Sequence, residues 1–291
     1  MASKIRVALA QMAPKMGDVE RNFSKVFKFL SLAKEQKADL IIYPELATAG
    51  YLSQGIFLDV PEKEQILLNR LVEETKDIHA VLGMVEEDRL GILHNAALVV
   101  GGGRIVEGNA GGVKQTAYRK CYLPTYGMFE EHRWFAPGCR VPVFNLNIKD
   151  VGPVTLGVVI CEDYWHPLPV RIAAMRGSQL TAVISASPKT LDKPQVVDAL
   201  LVTRAVENAT YLAFVNAAGS EDMVNFWGGS RIVSPEGRTL VQAKTGEEDF
   251  VVGEVDLYRG RKLTQRSPML REERLEMVQD YLKAFEESRR D

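Results

Sequence analysis

The 291-residue chain is short of cysteine, histidine and net charge, and each shortage removes a class of function. Its three cysteines, Cys121, Cys139 and Cys161, are an odd number with no C-x-x-C pair, which argues against a disulfide framework and fits a reducing compartment. Cys121, His132 and Cys139 match no common zinc spacing. With 36 Lys+Arg against 38 Asp+Glu the formal charge is −2, so nothing points to nucleic acid. No apolar run approaches the roughly 20 residues that cross a bilayer. Met1-Ala2-Ser3-Lys4 leads into an alternating strand rather than a signal-peptide core, so the expectation is a cytoplasmic protein with no membrane partner. Gly101-Gly102-Gly103 precedes a strand and not a helix, which suits a hairpin turn better than a phosphate cradle.

What is present is an ordinary globular composition, 46% hydrophobic and 25% charged. Alternation predicts a strand over residues 5–11, and the spacing of Phe23, Val26, Phe27 and Leu30 predicts a helix over 19–36. A strand over 38–43 completes a βαβ opening, which implies parallel neighbours. A helix over 62–77 and strands over 79–85, 93–100 and 104–106 follow. Residues 111–140 lack periodicity, are aromatic and charged, and are expected to form a substrate-pocket wall. The second half repeats the rhythm, with a strand ending at Ile160, a helix over 168–176, a strand over 181–187, a helix over 196–208 and a strand over 211–216. Residues 228–255 read as hairpin strands around Pro235-Glu236-Gly237. Without a low-complexity linker, residues 1–258 are expected to form one α/β domain of two similar halves. The extension over 259–291 carries a helix whose Leu275, Val278, Leu282 and Phe285 stripe should bury against the body or a second subunit.

The chain is organised around residues 153–167, where a β-branched run stops at Cys161-Glu162-Asp163-Tyr164-Trp165-His166-Pro167. A strand that delivers a thiol to its C-terminal tip places it where α/β proteins carry their chemistry. Cys161 is thus either a nucleophile or an inert core thiol. A nucleophilic cysteine needs a base and an oxyanion donor. His166, five residues on, is one candidate base. Glu45, directly after a buried strand and Pro44, is the other, because a partly desolvated carboxylate serves as a base near neutral pH. Lys120, among Tyr118, Tyr122, Leu123 and Pro124, is the candidate cation. Composition and spacing alone do not bring these residues together.

The segments Tyr43-Pro44-Glu45-Leu46, Arg119-Lys120 with Leu123-Pro124, and Ile160-Cys161-Glu162-Asp163-Tyr164-Trp165 resemble, in order and separation, the nitrilase superfamily of carbon-nitrogen hydrolases. Gln11, Asn22, Phe135-Ala136-Pro137-Gly138, Asn216 and Gly229-Ser230 extend the resemblance over about residues 5–257. It implies a four-layer αββα sandwich, Glu45 as general base, Lys120 as oxyanion-stabilising cation, Cys161 as nucleophile, and Glu131 orienting the lysine and substrate. It also implies a cysteine thioester intermediate, no metal or organic cofactor, and homodimers or larger homo-oligomers. Leu123 to Glu131, Cys161 to Trp165, Ser185-Ala186-Ser187-Pro188 and Asn216 to Ser230 are most similar to the glutamine amidohydrolase domain of glutamine-dependent NAD synthetases. Nitrilases place Trp-Glu after the cysteine, where this chain has Glu162-Asp163, so hydrolysis of a small linear amide is expected over nitrile chemistry. The alternative is a glutaminase subunit that supplies ammonia to a separate synthetase. Pocket residues are expected to be Tyr51, Tyr126, Glu162, Trp165 and Ser187. After Ser-Pro that branch has Gly-Lys and then an arginine, whereas this chain has Asp192-Lys193 and no arginine before Arg204, which leaves a substrate carboxylate without an expected partner.

Overall fold

The computed structural model describes residues 4–190 and 193–289; Met1 to Ser3 and Asp192 lie outside them. Strand β1 (Lys4–Gln11) is buried on both faces. Ile5, Val7 and Leu9 enter a core shared with a second sheet, while Ala8 and Ala10 enter the core beneath the first helices. Its alternation is therefore of large against small residues, as a strand covered on both sides requires. Helix α1 (Val19–Glu35) starts where the Asp18 side chain accepts from Arg21 N, and it buries Phe23, Val26, Phe27 and Leu30. After β2 (Leu40–Ile42), α2 (Val60–Glu74) begins two residues before the expected start, with Pro61 preset for a first helical turn. Strands β3 (His79–Glu87), β4 (Leu93–Gly101) and β5 (Arg104–Ile105) follow, and the glycine run turns β4 into β5 as a hairpin.

The stretch expected to be irregular holds short elements that periodicity misses. They are β7 (Val113–Gln115), β8 (Ala117–Arg119) and the single turn α3 (Glu131–Trp134), with β6 (Gly108–Ala110) just before the stretch. Strand β9 (Val143–Ile148), also unforeseen, pairs antiparallel with β10 (Gly152–Ile160). Then come α4 (Pro167–Met175), β11 (Leu180–Ser185), α5 (Lys193–Glu207), β12 (Tyr211–Asn216), the hairpin β13 (Ala218–Glu221) and β14 (Val224–Trp227), β15 (Arg231–Val233) and β16 (Thr239–Gln242).

With β17 (Asp249–Asp256) as the last strand, one sheet runs β17-β1-β2-β3-β4-β5, with β8 also on β4, and the other runs β16-β15-β12-β11-β10-β9-β6-β7. The layers are α1 and α2, first sheet, second sheet, then α4 and α5, an αββα sandwich. The expectation of hairpins throughout 228–255 fails at β17 (Asp249–Asp256). It leaves β16 and pairs antiparallel with β1 in the other sheet, from Lys4↔Asp256 to Gln11↔Asp249. This covers the edge that β1 would otherwise expose.

Helix α6 (Leu257–Arg266) leads to α7 (Leu275–Glu287), in which no residue is buried. Its stripe is exposed rather than buried, with Leu275 67% and Leu282 53% exposed. No helix among the described residues is long and apolar enough to cross a membrane.

Candidate active site

The strand register assembles the site. Parallel β10 and β11 align Ile160 with Ile184, so Cys161 and Ser185 stand side by side at their C-terminal ends. The Ser185 hydroxyl donates to Cys161 Sγ at 3.2 Å. The next amide, Ala186 N–H, donates to Glu45 Oε2 at 2.7 Å, and Ser187 N–H donates to Asn216 Oδ1 at 2.7 Å. Three consecutive residues at the end of β11 thus tie Cys161, Glu45 and Asn216 together. Sequence reasoning missed Ser185 and Ala186; the small Ser-Ala-Ser run at a parallel strand end was the available signal.

Glu45 lies in the turn after β2, and that turn presses on β3. A Cβ on Gly83 would stand 2.2 Å from Pro44 O, so only glycine admits the approach. Leu46 and Cys161, both non-glycine, take positive φ of 47° and 45°. Such backbone strain persists only where the surroundings overdetermine it.

Lys120 follows β8 and is fully buried. Its Nζ donates to Glu45 Oε1 at 2.7 Å and to Glu131 Oε1 at 2.6 Å. Burial by itself works against its charge, but Glu131 and Glu45 outweigh burial and hold the ammonium well above the ordinary lysine range. Asn95, on β4, was not anticipated. Its Nδ2 donates to Glu45 at 2.8 Å and lies 3.4 Å from Glu131 Oε2, while its carbonyl accepts from Lys120 N at 2.9 Å. Glu131 opens α3 and accepts from the Tyr51 hydroxyl at 2.5 Å. Burial pushes its carboxyl up to about 7 against the pull of Lys120. Tyr51 is thus held by Glu131, and its ring meets Phe129 and Phe226 edge-on.

Cys161 is buried, and its thiol is pushed up to about 12 by burial and then by Glu45, with Lys120 and Lys193 pulling the other way. It rests as a thiol, so attack requires a base that removes the proton as the bond forms. Asp163, another unanticipated residue, fixes the turn that carries it. This buried carboxylate accepts from Tyr118 Oη at 2.6 Å, Cys121 N at 3.0 Å, Tyr122 N at 2.8 Å and Ile160 N at 3.1 Å, which locks the Lys120 segment to the Cys161 turn. The ring of His166, the other candidate base, stacks on Tyr122 with centroids 3.7 Å apart.

Gln11, Asn22, Asn216 and Ser230 serve as ties. Gln11 accepts from Ser230 N and Oγ and donates to the carbonyls of Lys244 and Glu247, and Asn22 donates to Thr48 O. Gly138 N–H donates to Lys120 O at 2.7 Å, and its own Cβ would strike Arg119 O.

A cleft of about 640 Å³ is lined by Tyr126, Phe129, Trp165, Pro188, Lys193 and Val224 among others. Tyr126, 56% exposed, donates to the Glu162 carboxylate at 2.9 Å. Ser187 is buried beside this wall, and its hydroxyl has no hydrogen-bond partner among the described residues. Of the expected pocket residues, Tyr126 and Trp165 line this cleft, Glu162 accepts from Tyr126, and Tyr51 is held against Glu131.

A family model for carbon-nitrogen hydrolases matches residues 6–265. The chain belongs to the carbon-nitrogen hydrolase family. Among curated proteins it is 31% identical to the glutamine-dependent NAD(+) synthetase of Thermotoga maritima over 92% of this chain and 45% of that one. It is 30% identical to a nitrilase of Pyrococcus abyssi over 94% of this chain and 98% of that one. The chain thus spans about half the length of the synthetases it matches. Among solved structures, the amidase of Nesterenkonia sp. AN1 superposes with a TM-score of 0.80 at 27% identity, covering 95% of this chain and 96% of that one. That hydrolase was captured with the acetamide moiety of fluoroacetamide added covalently at its active-site cysteine. The nitrilase-superfamily resemblance and the sandwich architecture expected from the sequence are both borne out.

Proposed function

We propose that this carbon-nitrogen hydrolase is an amidase that cleaves small linear amides through a Cys161 thioester, with Glu45 as base and Lys120 as oxyanion partner. The observation that carries this reading is the buried lysine bridging two carboxylates beside a buried, strained cysteine. In the first half-reaction Glu45 takes the thiol proton as sulfur attacks the amide carbon. Lys120 and the backbone N–H of Glu162 hold the tetrahedral oxyanion. Glu45 returns the proton to the leaving nitrogen, ammonia departs, and an acyl-thioester remains. In the second half water gives a proton to Glu45 and attacks the thioester, and the carboxylic acid leaves as the thiol is restored. Glu131 acts as a positioning residue for Lys120. The covalent adduct at the cysteine of the Nesterenkonia amidase supports the same chemistry here.

A second reading, a glutaminase subunit serving a separate synthetase, is favoured by the synthetase match over half of that protein. Ammonia release from a panel of small amides, glutamine and nitriles, with Cys161→Ala alongside, tests both. Release from a free amide that vanishes in the variant supports the amidase. Release from glutamine alone, at a low rate, supports the subunit. Release unaffected by the substitution overturns both.

A further inference from the structure

A hydroxyl in direct contact with the Cys161 sulfur has no part in the chemistry above. Ser185, the last residue of β11, is fully buried, and its Oγ–H donates to Cys161 Sγ at 3.2 Å. Among the described residues that sulfur takes no other hydrogen bond. Strand register builds the contact in. Strand β11 lies between β10 and β12, with Ile184 opposite Ile160 and Ser185 opposite Asn216. The Ser185 carbonyl accepts from Ala217 N at 2.9 Å, and Asn216 is itself bonded to Ser187, Gly228 and Ser230. The next amide, Ala186 N–H, holds Glu45 Oε2. One dipeptide thus presents a donor to the sulfur and a donor to the carboxylate, at a spacing that the strand backbone fixes.

The contact changes character as the sulfur changes charge. A thiol is a weak acceptor with a proton of its own, whereas a thiolate can only accept. Deprotonation therefore turns the Ser185–Cys161 contact into a charge-assisted hydrogen bond. An interaction that strengthens as charge develops speeds a reaction; one that is equal in both states does not. The other groups that act on this sulfur do so differently. Glu45 opposes its ionisation, Lys120 is already bonded to Glu45 and Glu131, and Lys193 stands over the Phe129 and Trp165 rings, 5.3 and 5.7 Å from their centroids. Tyr51, Tyr126 and Tyr164 also feel its charge, and burial holds all three neutral above the ordinary tyrosine range. We propose, resting on the reading of Cys161 as the nucleophile, that Ser185 is a further catalytic residue whose hydroxyl donates to the sulfur as it gains charge. It does so first as Glu45 takes the thiol proton and the sulfur electron pair forms the C–S bond. It does so again as that bond breaks and the pair returns to sulfur. The serine proton stays on its own oxygen throughout.

The test reads the sulfur directly. Alkylation by iodoacetamide, which tracks the thiolate, is followed by mass spectrometry at Cys161 from about pH 7 to 10, with the exposed Cys139 of the same chain as reference. Wild type, Ser185→Ala and Ser185→Thr are compared. Ser185→Ala should slow Cys161 about ten-fold relative to Cys139 and move the rise of its rate to higher pH, the loss of one charge-assisted contact. Ser185→Thr keeps the hydroxyl and should restore most of the rate. With any amide that wild type turns over, Ser185→Ala should lower kcat about ten-fold and leave KM nearly unchanged, because the hydroxyl touches sulfur and not substrate. An unchanged Cys161 rate overturns the proposal. So does a loss with the pH profile left in place, or one that Ser185→Thr does not restore, since either marks a packing effect. Silence across the amide panel with the alkylation pattern intact counts against the amidase and leaves Ser185 as the donor to the nucleophile.

Discussion

The molecule buries carboxylates in two regions and handles them in opposite ways. At the candidate site Glu45 and Glu131 share the Lys120 ammonium at 2.7 and 2.6 Å, and Asn95, Tyr51 and Ala186 fill remaining acceptor positions. On the inner face of α2, Glu64 is equally buried, yet neither of its oxygens has a hydrogen-bond partner among the described residues. Burial pushes Glu64 up to about 8, and the nearby Thr48 hydroxyl and Val85 backbone offset this only in part. Charge survives in an interior only with an opposite charge in hydrogen-bond reach; a lone acid stays protonated instead. The first region is an ion cluster available for proton transfer, and the second is a neutral group whose ionisation costs stability.

The largest expected effect comes from breaking the paired region. Lys120→Met strands two buried carboxylates, so unfolding in urea should show a loss of about 3–5 kcal/mol, with ammonia release at background. Unchanged stability would erase the contrast between the regions. Next, Asp163→Ala deletes the acceptor for four donors that join the Lys120 and Cys161 segments. A loss of about 2–4 kcal/mol and a fall in kcat larger than any change in KM are expected.

Glu64→Gln sharpens the comparison from the other side. Glu64 has a folded value of about 8 against 4.5 ordinarily, so its protonated form contributes stability that is fully present below about 4.5 and is lost as pH rises through 8. The variant should therefore match wild type near pH 5 and exceed it at pH 8–9 by the order of 2–4 kcal/mol, read as a Tm difference that grows with pH. A constant difference across that range would show that Glu64 does not titrate as its burial demands. Smallest is Leu282→Glu on the exposed stripe of α7, which should alter the chain's own stability by no more than about 0.5 kcal/mol. A smaller species in sedimentation after that substitution would reveal a second copy on the stripe.

Much of the fold was legible in local pattern. The spacing of Phe23, Val26, Phe27 and Leu30 marks α1, and residues 211–216 coincide with β12 at both ends. Periodicity needs several residues to show, so β8, three residues inside an aperiodic stretch, was invisible, although β8 is what delivers Lys120 to the site. The six residues of β9 are long enough, but their Asn145 and Asn147 suggest a loop until β10 pairs with them. The catalytic candidates Glu45, Lys120 and Cys161 were named from motif order. Asn95, Asp163 and Ser185 were not, because each acts through a hydrogen bond to a residue that only folding makes its neighbour.

By itself the sequence determined the α/β alternation, the αββα family resemblance, and the delivery of Cys161 to the end of a buried strand. These are properties of nearest neighbours along the chain, where side-chain size and backbone preference dictate strand, helix and turn. The tertiary structure decided what touches what. It set Lys120 on Glu45 across 75 residues of sequence, moved β17 out of its hairpin to cover the edge of β1, left α7 bare, and brought Lys193 over the cleft. The physical reason is that ion pairing, edge coverage and cation–aromatic contact depend on distance in space, which strand register and layer packing fix and sequence separation does not.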